Sequence, residues 1–334
     1  MQTELELSTD HAKKLYQVIN DIPREYDQEK NPLEFERIAG EILLKTLPEK
    51  TLSIIDEFRE KNHLPYMLFR NFISLDNLPA TPTNDASPAT QSWRHPAAAL
   101  LGLLYLTGCS ARSFKDEMGG RLCHMVMPAK NDNKSYARST KKLGFHTEVV
   151  NGYFIEEDPC YGHPLSPEIF GLVGLRNPSH IPTTLLRLDN ILHKLSSTTI
   201  HELMQPQFIA HSQSSFDRNI TIENIPVIEQ MNNGLLGIRY SHSKLQASRQ
   251  KAEKALSSLN DAVNNSDKIE YAALNPGDVI IINNRTCLHG RSSISETAKF
   301  NGLDRWLIRI YGYKNDTLTK LKCDLVNKHV MLVE

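Results

Sequence analysis

The stretch GDVIIINNRTCLHG, residues 277–290, constrains the fold more than any other part of the chain. A run of β-branched residues this apolar reads as a buried strand. Its polar turn and His-Gly ending then carry a side chain from the rim of the core into whatever pocket the sheet encloses. The segments around it have the same character. RLCHMVMP (121–128), LGFHTEVV (143–150), IFGLVGLRN (169–177), TTLLRL (183–188), GLLGIRYS (234–241) and RWLIRIYG (305–312) are short strands separated by polar loops. Upstream the periodicity is helical. HAKKLYQVIN (11–20) and the segment 32–62 space their apolar residues as two amphipathic helices, and a further helix is predicted from Pro96 to about Gly108. Between them, LPYMLFRNF (64–72) reads as a buried strand and residues 75–92 as a long surface loop.

Strands that follow helices instead of alternating with them predict an α+β chain, an antiparallel β core flanked by helices. SKLQASRQKAEKALSSLNDAV (243–263) reads as one inserted helix stopped by NNSD. Without internal repeats or low-complexity tracts, the expectation is one domain over residues 1–334. It has a mainly helical flank (1–95), a core (96–315) carrying the insertion near 243–263, and a tail (316–334).

Composition narrows the function. A hydrophobic share of 40% with 23% charged residues is that of a packed globular chain. A net charge of -1 argues against nucleic acid or an anionic membrane as partner and leaves a small molecule. The cysteines (109, 123, 160, 287, 323) form no CxxC pair, which argues against a disulfide framework or cysteine zinc site and fits a reducing cytoplasm. The start, MQTELELSTD, lacks signal-peptide character, and the apolar stretch 95–111 is too short and interrupted to span a bilayer.

Chemistry enters at His146 and Glu148. On a strand, residues two apart share a face, so this pair can hold one ion if LGFHTEVV is extended. It supplies two members of a 2-His-1-carboxylate triad, an arrangement that leaves open positions on iron. His289 is the best third ligand; His124, His163, His211 and His242 are rivals without a second signal beside them. Downstream, Arg305 and Arg309 stand four apart on a predicted strand, and arginine suits bidentate recognition of a carboxylate. A hairpin from His289 would bring Arg305 back beside the metal.

HTE in a strand, then GLRNP, TTL, GDVIIINNRTCLHGR and DRWLIRI, resembles the clavaminate synthase-like branch of the Fe(II)/2-oxoglutarate-dependent oxygenases. Within it the chain is most similar to the free amino-acid β-hydroxylases, the viomycin-pathway arginine hydroxylase and asparagine oxygenase group. The resemblance runs from about LLGLLYLTG to IRIYG and implies a double-stranded β-helix (jelly roll) with helical flanks. It also implies hydroxylation of an unactivated C–H, at C3 of a free amino acid, while 2-oxoglutarate and O2 yield succinate and CO2, with ascorbate as reductant in vitro.

By the same resemblance, His146, Glu148 and His289 bind Fe(II), Arg305 clamps the distal carboxylate of 2-oxoglutarate, Thr184 hydrogen-bonds it, and Arg309 holds the substrate carboxylate. Further substrate positions fall on Arg239 and Ser241, on Gln213 or Ser214 in a loop (210–226) read as a lid, and on Met118 where relatives carry an amine-binding glutamine, with Glu117 adjacent. Glu148 itself faces the substrate, and its presence favours hydroxylation over halogenation. Arg239 would repel a cationic side chain, so a polar neutral or acidic amino acid is expected.

Other readings are an oxygenase acting on a protein side chain, a metal- or ligand-binding jelly roll without turnover, and a zinc hydrolase. Neither a purely structural metal site nor a zinc hydrolase has a use for a dicarboxylate clamp. The stretch 130–142 reads as a solvated basic loop.

Overall fold

The computed structural model describes residues 3–61, 64–83, 88–129, 140–157 and 163–333. β1 (Glu4–Glu6) leads into α1 (Thr9–Asn20), α2 (Pro32–Thr46), α3 (Glu49–Lys61) and β2 (Tyr66–Arg70). Next come α4 (Arg94–Leu106), β3 (Cys109–Phe114), β4 (His124–Val126), β5 (Leu143–His146), β6 (Ile169–Arg176) and β7 (Pro182–Arg187). Short helices α5 (Leu188–Leu192) and α6 (Ser197–Leu203) precede β8 (Phe208–His211), β9 (Thr221–Ile225), β10 (Ile228–Gln230), β11 (Leu236–Ile238) and β12 (Leu245–Ala247). The chain continues through α7 (Gln250–Asn264), β13 (Glu270–Ala273), β14 (Val279–Asn283), β15 (Cys287–Arg291), β16 (Trp306–Lys314), α8 (Asn315–Leu318) and β17 (Val330–Met331).

Several boundaries differ from the sequence reading, each for a local reason. The segment 32–62 is two helices, because Pro48 forces Leu47 into extended backbone (φ -69, ψ 145) and ends α2. The helix expected from Pro96 begins at Arg94, so Pro96 sits in its first turn, where a missing N–H costs nothing. The segment 243–263 is not all helix: Leu245–Ala247 pair with β8, and α7 starts at Gln250. Cross-strand pairing overrides helix propensity there. GDVIIINNRTCLHG is two strands in two different sheets, joined by a turn. Part of the loop 75–92, most of the loop 130–142, and Cys160 lie outside the described residues.

The main sheet has the strand order β1-β2-β14-β6-β16-β3-β17, with β4 also on β16. A second sheet, β13-β7-β15-β5, packs against it. The division expected at residue 95 does not follow the sheet: β1 and β2 lie at one end of it, and the tail contributes β17 at the other. β14 is apolar from Val279 to Ile282 because both its faces are covered. Val279 and Ile281 pack with α2 and α4, while Ile280 and Ile282 face the second sheet. β16 alternates likewise, sending Ile308 and Ile310 to the helices and Leu307, Arg309, Tyr311 and Tyr313 between the sheets. A third core, around Leu186, Leu288 and α7, closes the far side of the second sheet. No helix is long and apolar enough to cross a membrane among the described residues.

Candidate active site

His146, Glu148 and His289 come together between the two sheets, all buried, with one ligand atom from each within 4.8 Å of the others. The way they meet differs from the expectation. β5 ends at His146, and Glu148 lies in the turn that follows, ahead of Val149 in left-handed backbone (φ 51). Strand alternation therefore does not place Glu148; the turn brings it round. His289 is not at a strand exit either, but inside β15, paired directly with His146 on β5. A bulge separates that pair from Arg291 and Leu143, so Leu143 and His146, three apart, both reach the cavity.

Asn284 holds the turn. Its Oδ1 accepts the Glu148 N–H at 2.7 Å, and its Nδ2 donates to the Glu148 carbonyl at 3.0 Å and to the Pro167 carbonyl at 3.0 Å. A single side chain thus satisfies both main-chain polar groups of Glu148 in a buried setting. Sequence reasoning missed this residue; its only signal was an Asn-Asn pair at the end of a buried strand.

The protonation states suit a divalent metal. The Nδ1 of His146 lies 2.9 Å from the Gly144 carbonyl, which places the proton there and leaves Nε2 as a ligand. Burial, reinforced by His289, pushes His146 down to about 3, so its imidazole is neutral. Burial alone would raise Glu148, but Arg309 and then His289 hold it well below the usual carboxylate range. Two imidazoles and one carboxylate, dry and converging, fit the donor set of a first-row metal with open positions.

Arg309 is the hub beside them. Its Nη1 donates to both Glu148 oxygens at 2.8 Å, and its Nη2 donates to Glu117 at 3.2 Å and to Nδ1 of His124 at 2.8 Å. Burial works against its charge, yet Glu148, Tyr311 and Glu117 outweigh burial and raise its pKa. His124, one of the rival ligands, is a neutral acceptor for Arg309, since burial and then Arg309 push it down to about 3. Of the other rivals, His163 packs edge-on to Tyr153, His211 hydrogen-bonds Thr221, and His242 lines the outer cavity described below.

Two cavities meet at His146, Leu143 and Arg309. The inner one, about 50 Å³, is also lined by Glu148, His289, Thr183, Arg291 and Arg305. Arg305 precedes β16 instead of lying on it, and no hairpin joins it to β15, which belongs to the other sheet. Burial, with Arg291 beside it, pushes Arg305 down to about 9. It has no carboxylate partner among the described residues, and its Nε has no hydrogen-bond acceptor. Arg291 is a second guanidinium on this wall that sequence reasoning did not assign, although it stood in the quoted HGR. Thr184 is not on the wall. It pairs with Gly290, whereas Thr183 pairs with Arg291 and faces in, because successive strand residues alternate faces.

The outer cavity, about 230 Å³, is lined by Gln213, Ser214 and Ser241 among others. Arg239 is not there. Fully buried, it pairs with Glu157, donates to the Gly152 carbonyl at 3.0 Å and stacks on Phe154, so it faces no substrate. Met118 is displaced by its neighbour. Neither residue lines a cavity, but Glu117 is fully buried behind Arg309, bonded to Arg309, Tyr311 and Ser215, with Oε2 unpartnered among the described residues. The loop read as a lid bridges to Glu117 through Phe216 and Ser215.

Comparison with known proteins places this geometry in context. An L-ornithine/L-arginine 3-hydroxylase of Catenulispora acidiphila is 22% identical, covering 88% of this chain and 89% of that protein. An L-lysine 4-hydroxylase of Flavobacterium johnsoniae is 21% identical over 76% of this chain and 68% of its own. Asparagine oxygenase, solved with Fe(II), 2S,3S-3-hydroxyasparagine and succinate, shares the fold with a TM-score of 0.82 at 20% identity, over 99% of both chains. The non-heme iron oxygenase OrfP, solved with Fe and alpha-ketoglutaric acid, has a TM-score of 0.80 at 20% identity over 100% of both. These relatives are the group that the HTE, HGR and DRWLIRI motifs resemble. Residues 103–314, most of the chain and all three candidate ligands, match one family along their length, and the protein is a member of the CsiD family.

Proposed function

We propose that this protein is an Fe(II)/2-oxoglutarate-dependent hydroxylase of a free amino acid or close derivative, built as one domain on a jelly-roll core. The carrying observation is Arg305. A buried guanidinium without a carboxylate among the described residues is costly, and it sits on the wall shared with Thr183 and the ligand triad. A dicarboxylate bound in this cavity would supply that missing anion, with Arg305 holding its far carboxylate. The named activities of the relatives and the ligands of the solved neighbours support the same reading.

Fe(II) would be held by His146, Glu148 and His289, and when bound it supplies the redox chemistry by which O2 and 2-oxoglutarate become succinate, CO2 and a hydroxyl on the substrate. The chain's own part is binding and exclusion of water. Arg305 and Thr183 orient the distal carboxylate in the inner cavity, and Arg291 adds positive charge to the same wall. In the outer cavity Arg309 meets the substrate carboxylate. A short α-carbon anchor of this kind directs attack to C3, the carbon next along, as in the 3-hydroxy product bound to asparagine oxygenase. The test is anaerobic titration of the Fe(II)-loaded protein with 2-oxoglutarate, followed by aerobic assay for succinate and a product heavier by one oxygen. Tight metal binding with no charge-transfer absorbance at saturating 2-oxoglutarate would refute the reading.

A further inference from the structure

We infer that the substrate carries an oxyanion, a carboxylate or a phosphate, on its side chain; this rests on the hydroxylase reading above. The outer cavity is where a substrate reaches His146, and no carboxylate is among the described residues that line it. Beside apolar surface from Leu143 and Phe145, its polar lining includes the donors Lys142, Lys244, Gln213, Ser214, Ser241 and Ser243. Neither lysine forms an ion pair among the described residues. The acids bonded to Arg309 and Ser215 of its lining are already engaged, Glu148 by Arg309 and Glu117 by Arg309, Ser215 and Tyr311. Glu117 is fully buried and reaches this cavity only through Ser215, so a cation on the side chain has no anion to meet there.

The charge balance of the cavity therefore runs opposite to what ornithine, arginine or lysine would need. A cationic side chain placed among two ammonium groups loses hydration and gains repulsion. An amide avoids the repulsion but takes no charge-assisted hydrogen bond from half-buried Lys244 or exposed Lys142. An oxyanion accepts from the serine hydroxyls and the lysines together, in charge-assisted hydrogen bonds. The earlier expectation of a non-cationic substrate rested on Arg239, which is turned away; Lys142 and Lys244 carry it instead.

The experiment uses the Fe(II)-loaded full chain with 2-oxoglutarate, ascorbate and O2. The panel is glutamate and 2-aminoadipate (carboxylates), O-phosphohomoserine (phosphate), glutamine, and ornithine, lysine and arginine. Expected is oxygen gain with a carboxylate or a phosphate member, the two arms separating these sources, at a kcat/KM roughly tenfold or more above glutamine and still further above the cations. In parallel, Lys244→Glu and Lys142→Glu should each lower kcat/KM for the acidic substrate about tenfold or more, through KM. Lys244→Met should do so less steeply. Turnover confined to glutamine or to the cations overturns the inference, as do unchanged kinetics in the lysine variants. So does 2-oxoglutarate binding with no response to any acidic member; in all these cases the hydroxylase reading stands. Absence of 2-oxoglutarate binding overturns that reading itself.

Discussion

Glu148 is held by its main chain as firmly as by its carboxylate. Asn284 is the only side chain bonded to both its N–H and its C=O among the described residues, so it positions the ligand without touching a metal. Asn284→Ala should lower Fe(II) affinity by about 10- to 100-fold, measured by chelator competition, since residues that orient ligands carry effects of that size. The inner cavity offers a sharper contrast. Thr183→Val should raise KM for 2-oxoglutarate by roughly fivefold, the value of one hydrogen bond, while Thr184→Val should leave it alone. Equal effects from the two would contradict the register in which Thr183 pairs with Arg291.

Between elements, two contacts deserve a test because each joins pieces far apart in sequence. Glu36 on α2 accepts from the Ala111 N–H at 2.8 Å and the Ser110 hydroxyl at 2.9 Å, pinning the helix to β3. Burial nonetheless pushes its carboxyl up to about 7. The folded state then binds this proton more tightly than the unfolded chain, and the stability that the proton brings is lost as pH rises from about 4.5 to about 7. Glu36→Gln, which keeps an acceptor for Ala111, should flatten stability across that window by up to about 3 kcal/mol in denaturant titrations at paired pH values. Gly290 on β15 is the second contact. A Cβ there would lie 2.8 Å from the Leu143 carbonyl and 3.0 Å from the Thr184 hydroxyl. Gly290→Ala should cost about 1–3 kcal/mol in thermal unfolding and loosen the His146–His289 pairing.

At the scale of the molecule, the amino-terminal segment is part of the scaffold on which the site is built. β2 is the neighbour of β14 in the main sheet, and α2 packs across α4 to cover the sheet's outer face. A chain beginning at residue 96 would leave β14 without its strand partner β2 and expose the apolar face of α4 at once. It is expected to lose near-ultraviolet dichroism and to aggregate on size exclusion. A monomeric, dichroic fragment would show that β14 and β6 need no partner on that side.

The sequence by itself determined which residue types were available and in what order. Apolar runs of strand length after a helical start set an α+β architecture, since only burial on both faces rewards a segment like Val279–Ile282. The spacing of HTE, HGR and DRWLIRI named the three candidate ligands and two of the three arginines, Arg305 and Arg309, that line the inner cavity with them. Which neighbour faces inward was decided by tertiary structure alone. A one-residue change of register moves a side chain to the other face, and that separates Thr183 from Thr184. Glu117 and Met118 are divided by a turn with left-handed backbone at Met118 (φ 53). A bulge in β5 and a turn held by Asn284 did for His146 and Glu148 what strand alternation was expected to do. Arg239 was turned from a substrate contact into a buried ion pair by Glu157, because a guanidinium leaves water only where a partner waits for it, and partners are chosen in space.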